Sequence, residues 1–239
     1  MMHRLSALIS FFKGEVLEVG AGTGRNLGYY PDKSTVSRVT LTDIGDKTLL
    51  QAKEKIQKMS LAERSRYDVV VADAADLQYP DAAFDTVVDS FGLCSFDDPV
   101  AVLRELQRVC KPNGRILLLE HGRSKTWEGL TRYLDKYAER HARNWGCCWN
   151  RDIDRIVADA GLEVERQKLF HFGTTYYLVC KPRTGGGEVV APGGGAPRAN
   201  EDDGRKDTVA GKDEGARRQR AAQTSTEAPQ RTRRWWWPF

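Results

Sequence analysis

The residues with chemistry to offer begin in one short stretch, Glu18-Val19-Gly20-Ala21-Gly22-Thr23-Gly24-Arg25-Asn26. It follows the apolar run Val16–Val19. A strand that runs at once into alternating glycines, with a helix expected behind them, lets the backbone pass very close to a ligand. Any Cβ would block that approach. A dinucleotide site wants a small residue three beyond the second glycine. Counted from Gly20 that place is Arg25, and counted from Gly22 it is Leu27. Both fail. The pattern present, acidic-x-GxGxG, suits a nucleoside that carries an amino-acid tail and no pyrophosphate. Glu18, Gly20, Gly22, Gly24 and Asn26 are therefore candidate contacts.

Two acidic positions extend this reading. Asp43 closes the second apolar run, nineteen residues after Gly24. A carboxylate there can accept both hydrogens of a ribose diol in a charge-assisted, bidentate contact. The competing assignment is a helix N-cap for the segment that begins near Asp46; position and partner motif favour the ribose. The third run ends Val71-Ala72-Asp73-Ala74-Ala75-Asp76. Asp73 would accept from an adenine amino group, and the Ala74 N–H would donate to the ring.

These residues need a frame that brings them to one edge. Val16–Val19, Val39–Thr42, Tyr67–Val71, Phe84–Asp89 and Arg115–Glu120 are short runs of Val, Leu and Ile. Between them lie segments with helical spacing, such as Leu49-Ala52-Ile56-Met59 and Val102-Leu103-Leu106-Val109. Apolar strands separated by helices indicate an α/β fold, a parallel sheet covered on both faces. Glu163–His171 and Thr174–Lys181 differ, being separated only by Phe172-Gly173, so they must be antiparallel neighbours. The expected architecture is a Rossmann-like, doubly wound, seven-stranded sheet whose last strand is antiparallel.

Composition bounds the rest. The formal charge is +4 over 239 residues, and residues 1–182 are close to neutral. That argues against nucleic acid as a partner. Five cysteines (Cys94, Cys110, Cys147, Cys148, Cys180) show no CxxC spacing and read as reduced, intracellular thiols. Cys147-Cys148 lack partners at zinc-ligand spacing, so no metal is expected. No apolar run approaches the roughly 20 residues of a membrane span. Beyond Pro182, Gly-rich and polar sequence replaces apolar residues, which places a domain at 1–182 and a disordered tail at 183–239. Its Arg231–Phe239 end, with three adjacent tryptophans, suggests weak contact with an anionic membrane surface.

Further segments carry a family resemblance over residues 14–182. Leu77–Val88 and Arg108–Arg115 resemble small-molecule methyltransferases related to the ubiquinone/menaquinone C-methyltransferases. Phe91–Ser95, Asp98-Pro99, Leu119–Arg123, Ala138–Arg140, Asn144–Cys147, Trp149-Asn150 and Gly173–Thr175 resemble the mitochondrial inner-membrane methyltransferase-like proteins of fungi and protists. More distantly, the chain is similar to the animal alkyl-thiol methyltransferases. The resemblance implies a class I methyltransferase that uses S-adenosylmethionine, and it tilts localisation towards mitochondria. Relatives carry a helical cover before the first strand; here about a dozen residues precede Lys13-Gly14, so that cover is expected to be short or missing.

Methyl transfer is an in-line displacement that asks mainly for alignment. Residues after the fourth and fifth strands should line the site: Asp89 towards the cofactor, and Ser90, Phe91, Cys94, Glu120 and His121 towards the acceptor. His121 is the candidate general base, because imidazole titrates near working pH; His171 is a second. Cys94 is taken as pocket lining. Ser124–Trp149, rich in aromatic and basic residues, reads as a lid or membrane-facing cover, against a helix whose aromatics pack on the sheet. The expected acceptor is small and lipophilic, a quinone precursor or a thiol. A catalytically silent assembly or RNA-binding factor of the same fold is the alternative.

Overall fold

The computed structural model describes residues 8–183; the expected tail, including Arg231–Phe239, lies outside the described residues. Seven strands form one sheet: β1 (Gly14–Val19), β2 (Val36–Asp43), β3 (Tyr67–Val71), β4 (Phe84–Ser90), β5 (Cys110–His121), β6 (Glu163–Phe170) and β7 (Thr175–Lys181). Their spatial order is β3-β2-β1-β4-β5-β7-β6. β1 to β5 are parallel, and β7 runs antiparallel to both β5 and β6. The reversal follows from the short β6–β7 connection, His171 to Thr174. That turn places His171, Phe172 and Gly173 at positive φ, two residues longer than the sequence suggested.

Five α-helices accompany the sheet among the described residues: α1 (Asp46–Gln57), α2 (Leu61–Arg64), α3 (Pro99–Val109), α4 (Glu128–Trp145) and α5 (Ile153–Asp159). The start of α3 is set locally. Asp98 accepts the Val100 and Ala101 N–H groups at 3.0 and 2.9 Å, and Pro99 occupies the first turn, where no N–H is needed. Val102, Leu103, Leu106 and Val109 are all buried along one stripe. Along β5 the side chains alternate. Ile116 and Leu118 join α3 and α5 on one face; Leu117 and Leu119 join Ala52 and Ile56 of α1, with Leu8 and Phe12, on the other. Each fully buried aliphatic side chain contributes about 1.5–3 kcal/mol. The sheet is thus fixed from both sides, and its strand ends are held in register.

Two expectations need correction. A helix was expected straight after the glycine turn, but a single 3-10 turn, Leu27–Tyr29, stands there. Gly28 is its central residue and Pro31 follows two residues after its end, and both oppose continuation of a helix. β5 begins at Cys110 and not Arg115, because Cys110 already pairs with Phe84 across a bulge. Between β5 and α5, α4 buries only Leu134, while Trp127, Tyr133 and Trp145 stay substantially exposed. Before β1 the described chain offers one 3-10 turn, Ile9–Phe11, with Leu8 and Phe12 buried beside it.

Candidate active site

β1 delivers its tip between β2 and β4, with Val19 opposite Asp89. Gly20, Gly22 and Gly24 then take φ of 58°, 53° and 67°, a left-handed conformation costing other residues about 1–2 kcal/mol each. The three glycines are not equivalent. A Cβ on Gly24 would stand 2.8 Å from Leu27 and 3.0 Å from Ala52 of α1, so its smallness serves packing. A Cβ on Gly22 would meet nothing nearer than 4.0 Å, and on Gly20 nothing nearer than 3.7 Å. The space over these two is left open by the protein, a cradle that a bound molecule can enter.

Asp43 braces the turn from the end of β2. Its Oδ2 accepts the Gly22 N–H at 2.8 Å, and its Oδ1 accepts the Gly45 N–H at 2.7 Å. Gly45, which makes no side-chain cap, precedes α1, so Asp43 is not the α1 N-cap. Oδ1 also has the Thr48 hydroxyl at 3.5 Å, whereas Oδ2 keeps a second lone pair for a ligand hydroxyl. Asp73 sits just past β3 and folds its carboxylate onto the Ala75 N–H at 2.9 Å; Ala74 is buried in the core beside it.

Glu18, although on the β1 tip, is buried and faces inward. It accepts Asn26 Nδ2 at 2.7 Å and the Tyr30 hydroxyl. Tyr30 in turn packs edge-on against Phe12, ring centroids 5.5 Å apart. Sequence reasoning named Glu18 and Asn26 but missed Tyr30, whose position depends on the unforeseen 3-10 turn. Burial pushes the Glu18 carboxyl up to about 7, against the opposing pull of Tyr30 and Asn26.

A second acidic pair lies across the turn. Asp89, ending the buried part of β4, and Glu120, near the end of β5, are both fully buried. Neither has a counter-charge among the described residues; the two carboxyls face each other, with the Gly92 backbone beside both. Burial raises Asp89 to about 7. Burial, then the nearby Asp89 charge, raises Glu120 well above the usual carboxylate range. A Cβ on Gly20 would lie 3.9 Å from Asp89 Oδ1, so the carboxyl borders the open cradle. Gly92 admits it there, since a Cβ on Gly92 would stand 2.1 Å from the same oxygen. Gly92 was legible only as part of a motif. Buried carboxyls around open space suit a cationic guest.

On the acceptor edge, Ser90 closes β4 and Phe91 follows at a φ of 60°. Its N–H donates to Leu119 O at 2.8 Å, and its ring lies 5.5 Å from that of His121. The Cys94 thiol is held high by its Cys147 neighbour and by burial, consistent with lining and not with attack. His121 Nε2 stands 2.9 Å from Cys147 Sγ. His171 is exposed in the β6–β7 turn, with Nδ1 3.0 Å from Thr175 Oγ1; Thr175 is the β7 partner of His121.

A parallel sheet closed by one reversed strand, with an open glycine cradle at β1 and acids at the tips of β2 and β4, defines the class I methyltransferase architecture. Comparison with known proteins agrees. A family model described as a methyltransferase domain matches residues 17–118. The chain is 34% identical over 168 residues to a phosphatidylethanolamine N-methyltransferase of Cereibacter sphaeroides, covering 69% of this chain and 78% of that one. It is 35% identical over 188 residues to the mitochondrial methyltransferase OMS1 of Saccharomyces cerevisiae, covering 73% of this chain and 39% of the yeast protein. With the ubiquinone/menaquinone biosynthesis C-methyltransferase UbiE of Burkholderia mallei, identity is 32% over 150 residues, 62% of this chain and 59% of that one. The chain thus spans only part of the length of the yeast and Burkholderia relatives. Among solved structures, a methyltransferase of Mesorhizobium loti shares the fold at a TM-score of 0.58 and 16% identity, covering 74% of this chain and 95% of that one. The chain belongs to the S-adenosylmethionine-dependent methyltransferase family.

Proposed function

We propose that the protein methylates a small, lipophilic acceptor, with the donor seated over Gly20 and Gly22. The observation that carries this reading is the open space above those two glycines, bordered by the buried Asp89 carboxyl. Bound S-adenosylmethionine supplies an activated methyl group on a sulfonium. Asp43 orients the ribose through the lone pair left on Oδ2 after it braces Gly22 and Gly45. Asp73 and the Ala74 N–H hold the adenine. Glu18, locked by Asn26 and Tyr30, sets the shape of the turn, and Asp89 with Glu120 faces the donor's positive charge.

The acceptor belongs at the tips of β4 and β5, among Ser90, Phe91, Cys94 and His121. Where it must lose a proton, His121 is the titratable group at that edge. Exposed aromatics on α4 and in the β6–β7 turn, where Trp127 and Phe172 pack at 5.8 Å, offer an apolar rim. Relatives named for a phospholipid amine and for quinone biosynthesis support a lipophilic acceptor. The relative named as mitochondrial supports that location. No helix among the described residues is long and apolar enough to cross a membrane.

The test is methyl transfer from isotopically labelled S-adenosylmethionine into a mitochondrial lipid extract, followed by mass spectrometry. A labelled product that disappears with Gly22→Val supports the proposal. Tight donor binding without transfer to any lipid, quinone or thiol fraction favours the silent assembly factor.

A further inference from the structure

Three side chains beyond the glycine cradle converge at the carboxyl end of β5. His121 Nε2 is 2.9 Å from Cys147 Sγ, and Cys94 Sγ joins them so that all three atoms lie within 4.8 Å of one another. They come from distant segments: the turn after β4, the last residue of β5, and the residue beyond the α4 cap. We propose that Cys94, His121 and Cys147 bind a divalent cation of the zinc type.

The donor set fits that ion. Two thiolates and one neutral imidazole are ligands of borderline softness, and together they neutralise a dication, which a buried site requires. On a tetrahedral zinc, sulfur and nitrogen ligands sit about 3.5–3.8 Å apart, as follows from their usual bond lengths. The present cluster reaches that spacing with shifts of an ångström or less.

The backbone assembles these donors without help from the ion. Gly146 ends α4 in the left-handed conformation, with its N–H on Ala142 O at 2.7 Å. That turn sends Cys147 inward, to 1% exposure, and leaves Cys148 half-buried. The Cys148 N–H then donates to Cys94 O at 2.7 Å, which ties the end of α4 to the β4 turn. His121 is fixed by β5 pairing with β7 at Thr175. A site so built loses little entropy on binding.

Three protein ligands leave a fourth position, the arrangement of zinc sites that also bind water or substrate. A cation there would fasten α4 across the acceptor edge. It would also occupy the His121 Nε2, making His121 a ligand and giving the Lewis acid the task of lowering an acceptor's pKa. The site does not depend on which acceptor is methylated, and its presence is read from metal content alone.

The test uses the full chain, purified under reducing conditions without chelator, with zinc measured by elemental analysis. Near-stoichiometric zinc is expected. Replacement by Co²⁺ should give a near-ultraviolet sulfur-to-cobalt charge-transfer band. Cys94→Ser and Cys147→Ser should each weaken zinc binding at least roughly tenfold, the lower bound for losing even a supporting partner. Cys148→Ser and Cys110→Ser should leave it unchanged. Competition of the parent chain against a chelating dye gives the affinity should a variant not fold. The proposal falls if the reduced parent retains no zinc and shows no cobalt–thiolate band. It falls equally if all four variants hold zinc as the parent does, or if Cys94 and Cys147 form a disulfide and take up no metal after reduction.

Discussion

At the amino ends of β4 and β5, charges meet counter-charges. Arg108 pairs with Glu105 at 2.6 Å and Asp81 at 2.7 Å, and donates to the Tyr79 and Leu77 carbonyls at 2.8 Å. Lys111 pairs with Asp85 at 2.8 Å. Burial pushes Asp85 upward, yet the Lys111 ammonium and the Glu15 N–H outweigh it and hold the carboxyl below its usual range. At the carboxyl ends of β1, β4 and β5 the arrangement inverts. Glu18, Asp89 and Glu120 are buried, and none forms an ion pair among the described residues. One end of the sheet is satisfied by the protein alone. At the other, buried carboxyls stand without counter-charges, as the proposed seat of a cationic donor requires.

The contrast should appear first in the pH dependence of stability. Glu18 and Asp89 both rise to about 7 in the fold, so the folded chain holds more protons than the unfolded chain between about pH 4 and 7. The stability these two groups contribute is therefore full below the unfolded carboxylate range and is lost as pH rises through that window, whereas the lowered Asp85 acts in the opposite sense only below about pH 4. The Glu18 shift alone corresponds to on the order of 3 kcal/mol. Chemical denaturation from pH 4.5 to 8 measures it. A ligand carrying positive charge should offset the decline, so the donor should stabilise more at pH 8 than at pH 5. A stability that rises across this window would break the comparison.

The opposite end gives the next effect. Arg108→Met should cost about 1–3 kcal/mol, mainly from Glu105 and the two carbonyls left without their donor. Donor affinity should be unmoved. A parallel loss of affinity in calorimetry would mean that the two ends are coupled.

Asp43→Ala should cost the fold about 1–2 kcal/mol, because two backbone N–H groups lose their acceptor. It should weaken donor binding roughly tenfold or more through the ribose contact. Asp43→Asn keeps one oxygen for the N–H groups and should recover part of the stability but little of the affinity. Equal recovery of both would make Asp43 a brace only.

What the sequence disclosed depends on how far apart the interacting residues lie. The glycine turn, Asp43, the Asp98-Pro99 helix start and the reversed β7 are local features, each written within a few residues. The Glu18–Asn26–Tyr30 lock needed the 3-10 turn in place. The pairing of Asp89 with Glu120 and the role of Gly92 appear only once β4 lies beside β5. Cys94, His121 and Cys147 are 27 and 26 residues apart in succession, so spacing rules built on neighbouring ligands could not join them.

The most direct test of the account is calorimetric titration of S-adenosylmethionine into the full chain and into Gly22→Val, with circular dichroism confirming that both are folded. A Cβ on Gly22 meets no protein atom within 4.0 Å, so the variant should fold with only the modest strain of its positive φ. The account predicts saturable binding to the parent chain and its loss in Gly22→Val. Equal binding by the two folded chains would contradict it.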